Sequence, residues 1–167
     1  MTYNAYETKG KETMCLINLN TTVLFCKDVT DDDTLVGVFD HISPDTIGAK
    51  STVSFAMLVS LSALLPKTGE QFGNEVRYVD RDTCYDVKVR LTHIDTALGF
   101  DIDSFVFSTH QYNHYECRDV CELKRFIHID NLDLTSGSGE YVVKVFVKKQ
   151  EPNAKWTVQT IHRLMIN

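Results

Sequence analysis

The chain has little of what marks the specialised protein classes. Its 167 residues include 3 prolines and 8 glycines, too few for a collagen-like or low-complexity sequence. A hydrophobic content of 43% excludes a wholly disordered one. No apolar run is long: the most apolar stretch, residues 53–65, is broken by Ser54, Ser60 and Ser62 and falls short of the roughly 20 residues a membrane helix needs. The opening segment MTYNAYETKGKETM has no apolar core and no small-residue cleavage site, so a secretory signal is not expected. Positive charge is in deficit, with 17 Lys and Arg against 23 Asp and Glu, whereas nucleic-acid-binding domains commonly carry the opposite excess. The five cysteines, Cys15, Cys26, Cys84, Cys117 and Cys121, form an odd and scattered set, which points to reduced thiols in a cytoplasmic protein and not to a disulfide framework.

What the sequence has in abundance is side-chain alternation with a period of two, the signature of strands. Val53, Phe55, Met57, Val59, Leu61, Ala63 and Leu65 form one unbroken apolar row, while Ser54, Ala56, Leu58, Ser60, Ser62 and Leu64 form a mixed second row. This segment is long enough to bend midway and serve two sheets. Tyr85, Val87, Val89 and Leu91 alternate with Asp86, Lys88, Arg90 and Thr92, and the preceding Val76 and Tyr78 suggest a hairpin turning at residues 80–82. A second hairpin closes the chain, with Tyr141, Val143, Val145 and Val147 on one face, a turn at Glu151-Pro152-Asn153, and Trp156, Val158, Leu164 and Ile166 on one face of the last strand. Residues 14–26 and 34–42 are two further β-rich runs separated by an acidic turn. Residues 105–107 and 126–129 are shorter candidates, and residues 110–123 alone could hold a short helix. About eight or nine strands at this spacing predict an antiparallel β-sandwich, with residues 1–12 a flexible tail and 13–167 one domain.

Chemistry is harder to find. His110, His114, Cys117 and Cys121 give the spacing H-x3-H-x2-C-x3-C, four donors of the kind zinc binds tetrahedrally. On a straight helix they span about 16 Å at a rise of 1.5 Å per residue, so a single-ion site requires a turn between the pairs or help from His128 or Cys84. The acidic turn with Asp28, Asp31, Asp32 and Asp33, together with Asp101 and Asp103, offers carboxylates for calcium, yet Asp is also a common turn residue because it hydrogen-bonds nearby backbone. Nucleophile elbow, phosphate loop, dinucleotide fingerprint, metalloprotease helix and deaminase pattern are all absent. Charge is uneven: residues 141–167 carry five basic and one acidic side chains, against three and seven in residues 1–40. The basic end reads first as a solvated outer face whose lysines discourage edge pairing.

The order of elements, with Leu24 to Cys26 ending an early strand, Leu35 to Ile42 after an acidic turn and Gly139 to Val147 opening the closing hairpin, resembles a family of small uncharacterised bacterial immunoglobulin-like β-sandwich proteins. That resemblance implies an immunoglobulin-like sandwich and carries no activity or site. The function expected is a non-catalytic protein-interaction or scaffolding module that self-associates or binds another protein through an edge strand or sheet face, with no membrane or nucleic-acid partner and no cofactor. A zinc or calcium module is the alternative, and an enzyme with a Cys/His site assembled in space is third.

Overall fold

The computed structural model describes residues 17, 19–43, 45–47, 50–65, 79–80, 82–110, 120–133 and 137–167. The expected N-terminal tail, the run at 75–78 with its hairpin, and Cys15, His114 and Cys117 lie outside the described residues. The elements are all strands: β1 (Asn20–Val29), β2 (Leu35–Phe39), β3 (His41–Ile42), β4 (Asp45–Ile47), β5 (Lys50–Leu64), β6 (Cys84–His93), β7 (Gly99–Ser108), β8 (Val120–Asp133), β9 (Gly139–Lys149) and β10 (Thr157–Ile166). Counting β2 and β3 as one run interrupted by Asp40 gives nine, and no helix occurs among the described residues.

Two sheets result. The first has the order β2-β1-β5-β8, and the second β3-β10-β9-β6-β7. Every pairing is antiparallel except the two-residue match of β3 with β10. Thr52 of β5 pairs with Asp45 on one side and Asp133 on the other, which puts the short β4 on the β1 side of β5. The inward rows of both sheets form one core. Val53, Met57, Val59 and Leu61 of β5 meet Val87, Val89 and Leu91 of β6, Val143 and Val145 of β9, and Leu164 and Ile166 of β10 in a single buried cluster. Each such side chain contributes about 1.5–3 kcal/mol by leaving water, so neither sheet is stable without the other's inner face.

The all-β sandwich expected from the alternation is the observed architecture, with four differences in detail. β5 remains in the first sheet along its whole length, because β8 flanks it from Thr52 to Leu64 and β1 from Ala56 to Ser62. The segment that serves both sheets is β2–β3, which leaves β1 and reaches β10 across Asp40. The short candidates 105–107 and 126–129 lie within full edge strands, the first near the end of β7 and the second at the middle of β8. β7 has irregular pairing opposite Val89 and Arg90, and β8 has one opposite Val53 to Phe55; such interruptions break the period of two and hide a strand's length. β8 starts at Val120, so residues 120–123 are extended and not helical, and the rest of the ambiguous segment after His110 lies outside the described residues. Finally, a register shift between Val158 and Thr160 splits the row expected on β10: Leu164 and Ile166 are fully buried, while Trp156 and Val158 are exposed on the opposite face.

Candidate interaction surfaces

Among the described residues, the sequence-predicted metal donors are dispersed. His110 is exposed just beyond β7, with Nδ1 3.6 Å from the Asp82 carboxylate. Cys121 points into the core, where its Sγ donates to the Ala63 carbonyl at 3.6 Å. Cys84 sits at the start of β6 with Sγ 3.6 Å from Ser108 Oγ, and His128 is exposed on the outer face of the first sheet. No group of three or more His, Cys, Asp or Glu that could hold a metal ion occurs among the described residues, and none of Cys26, Cys84 and Cys121 forms a disulfide there.

The acidic turn between β1 and β2 is held by its own hydrogen bonds. The Asp33 amide donates to the Thr30 carbonyl at 2.9 Å and the Thr30 amide to the Thr34 carbonyl at 3.0 Å. Thr30 Oγ1 donates to Asp32, Asp28 accepts from the Val29 amide at 2.8 Å, and Asp33 takes a left-handed φ of 63°. Hydroxyls of Thr30 and then Thr34 hold the Asp32 carboxyl below its ordinary range. These carboxylates shape the turn, as short polar side chains do. Asp101 and Asp103 are likewise committed, Asp101 to Arg90 at 3.1 Å and Asp103 to Arg125 at 2.8 Å.

His93 is a structural residue. It is buried, its Nδ1 accepts from the Thr96 amide at 3.2 Å, its Nε2 faces the Ser138 carbonyl at 3.4 Å, and its ring meets Tyr141 edge-on at 4.8 Å. It thereby ties the β6–β7 turn to the segment leading into β9.

The outer faces of the sheets are where apolar side chains meet solvent. On the first sheet, the register aligns Leu24, Leu58 and Phe126 in one outward row and Val38, Cys26, Ala56 and His128 in the next. Val36 lies beyond, opposite Asp28. Leu24 and Val36 are exposed, Val38 is 58% exposed, and Cys26 and Ala56 are small and covered by their neighbours. Burial pushes the Cys26 thiol up, with the Asp28 charge adding to the effect, which keeps it protonated and a poor nucleophile. The next row, Thr22, Ser60 and Lys124, is polar. The result is a flat apolar strip with a hydrophilic margin. Part of this strip was legible in the two-sided pattern of residues 53–65; the contribution of Leu24, Val38 and Phe126 depends on register, which the alternation of a single strand does not encode.

The edges are less inviting. On β2, Gly37 has a φ of +64°, and a Cβ there would press 3.1 Å from the Lys27 side chain, which lies across the edge. β8 carries Asn131 at a φ of 51°, its amide donating to Ser54 Oγ at 2.9 Å, within its irregular stretch. β7 points Asp103 inward to meet Arg125. Irregular geometry and inward charge are devices that oppose strand addition.

Set beside known proteins, the chain matches no family model, no curated protein and no solved structure.

Proposed function

We propose that this chain is a non-catalytic protein-interaction or scaffolding module that self-associates through the outer face of its first sheet. The observation that carries the reading is the outward strip of Leu24, Val36, Val38, Leu58 and Phe126 around the small Cys26 and Ala56. Small residues at the centre keep the strip flat, and the outward positions at its margin carry Lys124 beside Glu122 and Asp28, so two copies meet without a large charge of one sign. Three strands about 30 Å long and the five-residue β2, spaced about 4.8 Å apart, give a face on the order of 500 Å² in projection, so the interface draws on the polar margin as well to approach the roughly 800 Å² per partner of a stable interface. Edge pairing, the other route, is disfavoured by the geometry of β2, β7 and β8; β10, which β3 covers only at Met165 and Ile166, has its own irregularity between Val158 and Thr160. The bacterial immunoglobulin-like likeness and a cytoplasmic setting belong to the same proposal; no helix among the described residues is long and apolar enough to cross a membrane.

Native mass spectrometry tests it. The expected species is a dimer of the 19.0 kDa chain, converted to monomer by Leu24→Lys and by Val38→Lys, both of which leave the core untouched. A wild-type monomer across the micromolar range would overturn the self-association, and stoichiometric zinc or calcium on the wild type would restore the metal-module alternative.

A further inference from the structure

The outer face of the second sheet differs in character from that of the first. Its cross-strand rows run Ser104, Lys88, Phe146, Val158 and then Asp101, Arg90, Lys144, Ile161, with Trp156 beside them. Trp156 is 39% exposed, and Val158 and Ile161 are more so. The Lys88 ammonium lies 4.8 Å from the Trp156 ring centre and 5.3 Å from that of Phe146, and Lys148 lies 5.0 Å from Trp156. Aromatic rings attract such cations, so these flexible side chains are already ordered and lose little further freedom when something docks on them.

The charges are distributed unequally across this face. On the β6–β7 side, Asp86 pairs with Lys148 at 3.3 Å and Asp101 with Arg90 at 3.1 Å. On the β9–β10 side, Glu140 meets Arg163 at 3.1 Å, and among the described residues no acid pairs with Lys144 at the centre. A chain whose net charge is −6 thus gathers Lys88, Arg90, Lys144, Lys148 and Arg163 against three acids on one apolar face. We infer that the outward face of the second sheet docks an acidic, apolar-containing segment of a partner protein, with Trp156, Phe146 and Ile161 as apolar anchors and Lys144 as the uncompensated charge. Complementary charge sets the sign of the partner. A single-stranded nucleic acid shares that sign, but it binds by stacking bases on open aromatic faces, and here lysine heads occupy the Trp156 ring while the neighbours are aliphatic.

The inference rests on the reading of the chain as an interaction module but uses the opposite face, so the two fail separately. Trp156 is the only tryptophan, and its fluorescence reports on this face alone. The probes are a peptide alternating Glu with Leu, its counterpart with Gln in place of Glu, and an oligothymidylate. The expected result is a saturable change in Trp156 emission with the Glu peptide, weakened by added salt, weakened about tenfold or more by Lys144→Glu, and absent with the Gln peptide. Ile161→Ser, checked for folding by circular dichroism, is expected to weaken it as well. No emission change with the Glu peptide, an equal change with the Gln peptide, or oligothymidylate binding as tightly as the Glu peptide would each overturn it. A Trp156 response in a protein that native mass spectrometry shows to be monomeric would remove the self-association and leave this docking face standing.

Discussion

Two residues illustrate how tightly single side chains are bound into this fold. Gly139 opens β9 with a φ of +143°, and a Cβ placed on it would stand 2.8 Å from His93 Nε2. Gly139→Ala therefore combines a strained backbone with a collision against a ring that Thr96 and Tyr141 hold in place, and it is expected to lower stability by about 1–3 kcal/mol, read as a lower urea midpoint. His93→Ala removes the obstacle while leaving the Thr96 amide without its acceptor, at a cost of similar size. The double variant is therefore expected to lose less than the sum of the two, and strict additivity would show that the ring does not limit Gly139. His162 on β10 gives a pH-dependent counterpart. Burial of its ring holds it below its ordinary value of 6.5. The unfolded chain takes up this proton near pH 6.5 while the folded chain does so only at lower pH. In that window the unfolded state binds more protons and stability falls with falling pH; above about pH 6.5 the full contribution is present. Urea midpoints of wild type and His162→Gln measured between about pH 5 and 8 are expected to diverge in slope only in the acidic part of that range.

At the scale of elements, one ion pair among the described residues joins β7 to β8 across the open side of the sandwich. Arg125, on the inward row of β8 opposite Val59, reaches Asp103 of β7 in the other sheet with Nε at 2.8 Å and Nη2 at 3.5 Å, and its guanidinium lies 5.6 Å from the Phe105 ring centre. Both side chains retain contact with water, so a double-mutant cycle of Arg125→Met and Asp103→Asn is expected to give a coupling of about 0.2–1 kcal/mol that diminishes with salt. A coupling of zero would mean the two edges are joined by packing alone. These edge strands were also the elements least legible in the sequence. The alternation of β5, β6 and β9 shows plainly in the residue pattern because each is paired on both sides and one of its rows is buried throughout. Among the described residues β7 and β8 are each paired on one side alone, tolerate irregular pairing, and so present broken alternation with Asp101, Asp103, Asp130 and Asn131 inside it. The same limit hid the outer surfaces. A strict period of two puts Val158 on the face of Leu164, whereas the β10 irregularity shifts it to the other face, opposite Phe146 and on the side of Trp156. The turn roles of the Asp-rich segment could be read from composition; the dispersal of His110, Cys84, His128 and Cys121 depends on which strand each belongs to.

For the whole molecule, the decisive division is between inner and outer rows, because the sheets share one core while their two outer faces are chemically unlike. The C-terminal strand makes this testable. Leu164 is fully buried opposite Tyr141, and the end of β10 also anchors β3, with the Met165 amide donating to the Asp40 carbonyl at 3.1 Å and the Asn167 amide to the Ile42 carbonyl at 3.0 Å. Leu164→Ala is expected to remove about 2–5 kcal/mol, a large part of the roughly 5–15 kcal/mol that holds a typical domain together. If the core is common to both sheets, amide exchange should accelerate in β1 and β5 as much as in β6 and β9, even though only the second sheet carries the substitution. Acceleration confined to the second sheet would mean that the layers unfold separately. The outward neighbours give the contrast: Leu24→Ser on the first sheet and Ile161→Ser on the second are expected to change stability by less than about 0.5 kcal/mol. These two outward side chains are the ones on which the proposed self-association and the proposed docking of an acidic segment rest, so a variant that keeps its stability and loses binding separates contact from folding on each face.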